Sequence, residues 1–346
     1  MGGEDGFFTR YPALGGAAPT VTLASMPYTR TVTCTGSYTL TGTATESPSS
    51  VSWSASPSGD SGSCTGTSSF SCVVAIAPNA AGEGVETITV TATNGTGNGT
   101  DTETIGFYVN GAHSCFLSQS VDNSYNSTLA NNDPVTTWKN LGSSALNITQ
   151  ATGSAKPTFL TSFTASQPIV SFDGGDVLVS SAASTSWDFL SKNPVTMESV
   201  FDFPTDNGNN MAVSSTFLAA GSLIASDFRT TAVGNAVISV GGSDPTGTGA
   251  FYAGVLHLSQ TIRDDSGTPD INSYTNGTLM ATGATGANEA AAETFRLGDS
   301  GNSIVTFLTG YIYRFVAYSS ALSTTQIQIN EAVDEWALNA SLPVTP

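Results

Sequence analysis

The chain has 346 residues, 27 of them acidic and 9 basic, for a formal net charge of −18. Charged residues make up only 10% of it and apolar residues 39%, which excludes a charge-rich disordered chain. The first lysine is Lys139, so nucleic acid and anionic membrane surfaces are excluded as partners, and no apolar run reaches the roughly 18 residues of a membrane-spanning helix.

Residues 1–18 form a Gly-rich leader carrying Phe7, Phe8 and Tyr11. Its start lacks a basic segment followed by an apolar core, so it does not read as a signal peptide. It is expected to be an N-terminal arm, either frayed or ordered on a partner. Residues 19–111 alternate apolar and small polar side chains in seven short runs: 20–23, 30–33, 38–44, 51–55, 70–76, 86–93 and 102–109. Asn94-Gly and Asn98-Gly are read as turns between the last two. Trp53, in Val51-Ser-Trp-Ser-Ala55, is expected in the core. Seven such strands suit an immunoglobulin-like β-sandwich. The segment resembles bacterial Ig-like modules through Leu40-Thr-Gly-Thr-Ala44, Val51-Ser-Trp-Ser54 and Thr87-Ile-Thr-Val-Thr-Ala-Thr-Asn-Gly95.

The four cysteines, Cys34, Cys64, Cys72 and Cys115, lie in the first third of the chain. They contain no CxxC pair and only His113 lies near any of them, which argues against zinc. Their even number suggests one or two disulfides, or free thiols in a reducing compartment. Cys64 and Cys72 flank seven residues that could form a hairpin, so they are the first candidate pair. Cys34 and Cys115 would then tie the opening strand of the first domain to its exit.

Residues 112–346 are expected to form a second domain. Val135–Gly142, Lys156–Phe159, Pro168–Val179, Val195–Phe203 and Val255–Gln260 read as strands, and Asn272–Met280 as a hairpin turning at Asn276-Gly277. Phe295-Arg-Leu-Gly298 and Phe307–Tyr318 close the strand set. A helix follows, opened by a capping box of Ser323 and Gln326. Ile329, Ala332, Val333 and Trp336 fall on one face of it, and truncating Trp336 is expected to cost several kcal/mol. These segments, in this order, resemble laminin G-like domains, a group of concanavalin A-like jelly rolls. The fold class expected is therefore all-β, an Ig-like sandwich followed by a jelly roll with one short C-terminal helix.

Concanavalin A-type glucanases carry their acid/base pair as Glu-x-Asp-x-Glu, and the nearest segment is Glu198-Ser-Val200-Phe-Asp202. Valine replaces the middle acid that would tune the pair, so Glu198 and Asp202 are expected to be solvated strand residues. His113, in a linker, and His257, in a strand, have no Gly-x-Ser-x-Gly elbow to serve, which argues against a hydrolase triad. Asp173-Gly-Gly-Asp176 and Asp299 are turns bearing hard oxygen ligands and are the candidate calcium residues, although such turns also need these residues for backbone geometry. The acidic loop of Asp264, Asp265 and Asp270 is a weaker candidate. Asn94, Asn98, Asn126, Asn147, Asn276 and Asn339 each begin an Asn-x-Ser/Thr triplet.

The expected function is a non-enzymatic virion surface protein, such as a bacteriophage capsid decoration protein, head fibre or spike. It would be homo-oligomeric, attached to a capsid or other virion protein and able to touch host glycans, without a cofactor unless calcium binds. The alternative is a bacterial secreted adhesin or carbohydrate-binding module at the cell surface.

Overall fold

The computed structural model describes residues 16–339 except 27, 81, 123–127, 165–166, 192–193, 203, 205–210, 216–226, 233–234, 240–256, 265–270, 276–277, 284–293 and 300–307. Residues 1–15 of the expected arm, together with Asn126, Asp265, Asp270 and the Asn276-Gly277 turn, lie outside the described residues. The fold is all-β with a single α-helix among the described residues. In chain order the first strands are β1 (Val21–Leu23), β2 (Thr31–Thr33), β3 (Ser37–Ala44), β4 (Ser50–Ser56), β5 (Ser61–Ser63), β6 (Ser69–Ala75), β7 (Val85–Thr93) and β8 (Asn98–Phe107). Then come β9 (Ser114–Val121), β10 (Asp133–Pro134), β11 (Thr137–Asn140), β12 (Ile148–Thr149), β13 (Thr158–Thr164), β14 (Gln167–Asp173), β15 (Leu178–Ser180) and β16 (Val195–Asp202). The remainder are β17 (Met211–Ser215), β18 (Asp227–Ala232), β19 (Asn235–Ser239), β20 (His257–Arg263), β21 (Ile271–Thr275), β22 (Thr278–Gly283), β23 (Phe295–Leu297) and β24 (Thr309–Tyr318), followed by α1 (Thr324–Leu338).

Two compact units interleave along the chain, rather than meeting at one boundary near residue 111. The first comprises residues 1–25, 38–75 and 87–103, and the second 26–37, 76–86 and 104–346. In the first unit one sheet has the order β1-β3-β6, and β8, β7, β4 and β5 are consecutive neighbours in another. Strict alternation makes these strands: in β4, Val51, Trp53 and Ala55 are buried while the serines between them face water. Opposite them in β7, Val90 pairs with Trp53 and Ile88 with Ala55. The seven expected strands are present, with β5 added as a short partner of β4. Asn94 does make a turn, its side chain accepting from the N–H groups of Thr96 and Gly97. Asn98 does not: it opens β8, because that turn already returns the chain at Gly97. A disulfide joins Cys64, just beyond β5, to Cys72 in β6, strands of different sheets.

The second unit is organised on β24. Along one edge β24 pairs with β16, and along the other with β14 through Thr309–Ile312 and then β9 through Arg314–Ala317. Strands β9 and β16 are buried along their whole length, so they lack the in-out alternation of a half-exposed strand. One face of this sheet meets an aromatic core containing Trp138, Trp187, Phe295 and Phe315. The other meets α1, with Leu117, Val200, Val316, Tyr318, Ile329 and Val333 in one cluster. The Cys34–Cys115 disulfide lies in that cluster.

Helix α1 starts with the reciprocal capping box of Ser323 and Gln326 and ends at Asn339 in the left-handed conformation. Its packed face differs from the expected one. Ile329 and Val333 are fully buried, but Ala332 and Trp336 are only partly so, and Ile327, Asn330, Glu331, Asp334, Ala337 and Leu338 complete the buried stripe. The apolar pattern misplaced the face because three of its buried positions, Asn330, Glu331 and Asp334, are polar. Trp336 instead carries Arg30 over its ring at 5.8 Å. Arg30 also donates to the Trp336 carbonyl and, at 3.0 Å, to Asn339 Oδ1, setting a cation at the negative end of the helix. Ile329→Ala is expected to lose about 2–5 kcal/mol of stability. Trp336→Ala is expected to lose less, since the indole is only partly buried against the cluster; urea unfolding of the two variants measures the difference.

Candidate functional site

The densest set of ionisable side chains among the described residues lies beneath α1. Arg314 projects from β24 with no solvent exposure, and Glu198 from the neighbouring β16 and Asp334 from α1 are equally buried. Asp334 takes two guanidinium hydrogen bonds, Arg314 Nε donating to Oδ1 at 2.6 Å and Nη2 to Oδ2. Arg314 Nη1 meets Glu198 Oε2 at 3.3 Å. Tyr108 lies under the guanidinium, 4.7 Å from its ring centroid, and donates its hydroxyl to Asp334 Oδ1 at 2.7 Å.

Asn330, one turn before Asp334 on the helix, completes the set. Its Nδ2 donates to Glu198 Oε2 at 2.8 Å and to Tyr318 Oη at 3.0 Å, while its Oδ1 accepts the Val109 N–H at 2.8 Å. Tyr318 donates to the Val109 carbonyl. Gln260 reaches Glu198 Oε1 from β20 at 3.4 Å. Glu198 is therefore neither solvated nor free, and Asp202 is buried as well, both contrary to expectation. The alternation that would have sent one side of β16 to water is overridden by the helix covering it.

Burial raises the Glu198 carboxyl to about 7, Arg314 opposing this and Asp334 adding to it. Asp334 is raised by burial too, offset in part by the Arg314 charge. Burial would lower Arg314, but the adjacent Asp334 carboxylate outweighs it and the guanidinium stays charged. One cation thus faces two carboxylates in a site closed to water. Such a site can hold a helix in register; it offers no path for a substrate.

The candidate calcium residues occupy two adjoining turns. Asp173 N–H donates to Asp176 Oδ2 at 2.9 Å, and Gly175 N–H to Asp173 Oδ1 at 2.9 Å. Burial lifts the Asp176 carboxyl to about 6. Gly298 abuts this turn: a Cβ there would lie 2.8 Å from the Asp176 carbonyl oxygen and 2.5 Å from the Phe172 ring, and its φ is +94°. Asp299, next along, pairs with Arg296 at 3.2 Å. Among the described residues no three His, Cys, Asp or Glu side chains converge on one point.

His113 is not in an open linker. Its ring lies 3.8 Å from Phe189, centroid to centroid, and burial lowers its pKa. The side chain of His257 lies outside the described residues. Of the Asn-x-Ser/Thr triplets, Asn94 is committed to its turn and also donates to the carbonyls of Ala17 and Glu46. The sequence did not point to an aromatic pair in which one ring is exposed and the other partly buried. Phe163, 36% exposed on β13, lies 4.9 Å from Tyr311 of β24 at an interplanar angle of 45°.

No family model and no curated protein matches the chain. Among solved structures it is similar to a Trypanosoma rangeli sialidase in complex with sialic acid, at 7% identity and a TM-score of 0.41, over 74% of this chain and 44% of that one. It is also similar to the Ruminococcus gnavus IT-sialidase CBM40 bound to alpha2,3 sialyllactose, at 15% identity and a TM-score of 0.32, over 40% of this chain and 82% of that one. A SAP-like pentraxin from Limulus polyphemus gives 12% identity and a TM-score of 0.31 over 40% and 69%. The chain spans less than half the length of the sialidase structure, and similarity at this level assigns no activity.

Removing the cation should be worse than removing the whole charge set. Arg314→Met leaves two buried carboxylates without it and is expected to cost about 3–5 kcal/mol. Adding Glu198→Leu and Asp334→Leu to that variant should recover much of the loss, measured by guanidinium unfolding of the single and triple variants.

Proposed function

We propose that the chain is a non-enzymatic surface structural protein, an Ig-like sandwich carrying a laminin G-like jelly roll. The observation that carries this reading is the fate of Glu198. On the strand where the related glucanases present a catalytic acid, it is sealed under α1 and bonded to Arg314 and Asn330. The Ig-like assignment is supported by the strand order β1-β3-β6 beside β8-β7-β4-β5. The jelly-roll assignment is supported by the long strand β24 running into a single capped helix. Two disulfides suit an oxidising exterior.

The setting we propose is the outer surface of a virus particle, as a capsid decoration protein, head fibre or spike. Antibody-gold labelling of purified particles tests it, with label on the particle expected. Label confined to a bacterial cell wall or culture supernatant would overturn it. Purified chain should leave polysaccharides intact; turnover that vanishes in Glu198→Gln would restore the enzyme reading.

A second reading, a secreted adhesin or carbohydrate-binding module, is favoured by the Phe163–Tyr311 pair. An exposed ring flanked by exposed Thr161 and Ser162 offers an apolar face beside hydroxyl groups, the chemistry a neutral sugar ring matches. On a glycan array Phe163→Ala is expected to weaken such binding about tenfold. Binding abolished by a chelator and by Asp173→Ala or Asp176→Ala would add a calcium ion to this reading.

A further inference from the structure

Helix α1 is fastened by unequal charges. Asp334 holds the guanidinium through two hydrogen bonds, so Arg314 is largely committed before Glu198 is reached. Glu198 receives a single longer contact from Arg314, at 3.3 Å, and a 2.8 Å bond from Asn330 on the helix. With both carboxylates ionised the closed site carries one uncompensated negative charge. With one of them protonated it is neutral and keeps its hydrogen bonds.

We propose that the Glu198–Arg314–Asp334 cluster makes the docking of α1 responsive to pH around neutrality, the helix being held more tightly in acid than in alkali. Glu198 is the responsive group because it is the weakly compensated partner. The groups facing Glu198 are Arg314 and Tyr318 from β24, Asp334, Asn330 and Glu331 from α1 and Gln260 from β20, while Tyr313 and Tyr108 face its partners Arg314 and Asp334. Glu331 is buried and adds to the negative field. Glu86, on the segment whose Gly84 abuts Ile329 and Val333, is buried as well. Arg30 stands at the C-terminal end of the helix, on the Trp336 carbonyl two residues past Asp334. Asp334 and Glu331 therefore act against ionising Glu198, and the one internal cation is shared.

The sign follows from linkage. A carboxyl whose pKa is near 7 in the docked state and about 4.3 in water binds more protons docked than undocked between those values. Docking therefore weakens as pH rises through that window, and the loss is complete above the docked value. What the helix uncovers on leaving is the apolar sheet face of Leu117, Val200 and Val316.

Hydrogen exchange of the full chain, read on the amides of α1 and corrected for intrinsic exchange rates, tests this. The opening constant of α1 should rise about tenfold or more between pH 5.5 and 8.5. In Glu198→Gln, which keeps an oxygen for Asn330 and Arg314 but cannot ionise, it should stay flat. Asp60→Asn, at an exposed residue of the first unit, should keep the wild-type response. An opening constant in wild type that does not change with pH overturns the proposal, and so does a Glu198→Gln variant that follows the wild-type curve. Should Glu198→Gln not fold, infrared titration of the carboxyl band in Asp176→Asn, which removes the other carboxyl raised toward neutrality, decides. A protonated buried carboxyl lost near neutral pH supports the proposal, and full ionisation by pH 5.5 overturns it.

Discussion

The contact between Arg314 and Asp334 is the constraint on which the second unit's helix depends. It sets a charged strand residue against a charged helix residue where neither can reach water. Measured by stability alone, this is an inefficient way to pack a helix, because both ions lose their hydration. What it supplies is register. Asn330 and Asp334 stand one turn apart, and each has partners of fixed geometry: Val109, Tyr318 and Glu198 for the first, Arg314 and Tyr108 for the second. A slide of α1 by one turn would set Asn330 or Leu338 against the Arg314 guanidinium in place of Asp334. Apolar contacts alone, being non-directional, would resist that slide far less.

This arrangement also accounts for what the sequence did and did not disclose. Val51, Trp53 and Ala55 could be placed because one face of β4 meets water and the period of two survives. The capping box at Ser323 could be placed because it is local, a matter of two residues and one turn. Glu198 could not, since nothing near it in sequence says that a helix more than a hundred residues later will cover its face of the sheet. The same holds for Asp334 and Asn330, whose polarity argued for solvent until their partners were brought to them. One signal was available: a lone Arg in the otherwise apolar run Tyr311–Tyr318 needs a buried counter-charge, and the nearest acids on an amphipathic element are those of α1.

The two turns at Asp173 and Asp299 show the opposite case. Their composition drew attention to cation binding, and the structure places them side by side through Gly298. Yet each carboxylate already has local work, Asp173 and Asp176 closing their own loop and Asp299 meeting Arg296. Asp-Gly turns satisfy backbone donors with their side chains, and this use leaves the same residues in the sequence as a cation site does.

The position of β24 has a consequence for how the chain reaches this structure. It is the central strand of its unit, but its contacts come from far back along the chain: Tyr318 bonds Val109, 209 residues earlier, and Ser199 bonds Arg314 across 115. Until β24 has been synthesised, β9, β14 and β16 have no strand to hold them together, and the wholly buried sequences of β9 and β16 are left incompletely covered. Folding of this unit is accordingly a late and non-local event, slow by the measure of its contact order. During synthesis the incomplete sheet is a surface that chaperones would have to shield, whereas the sheets of the first unit draw on partners already made.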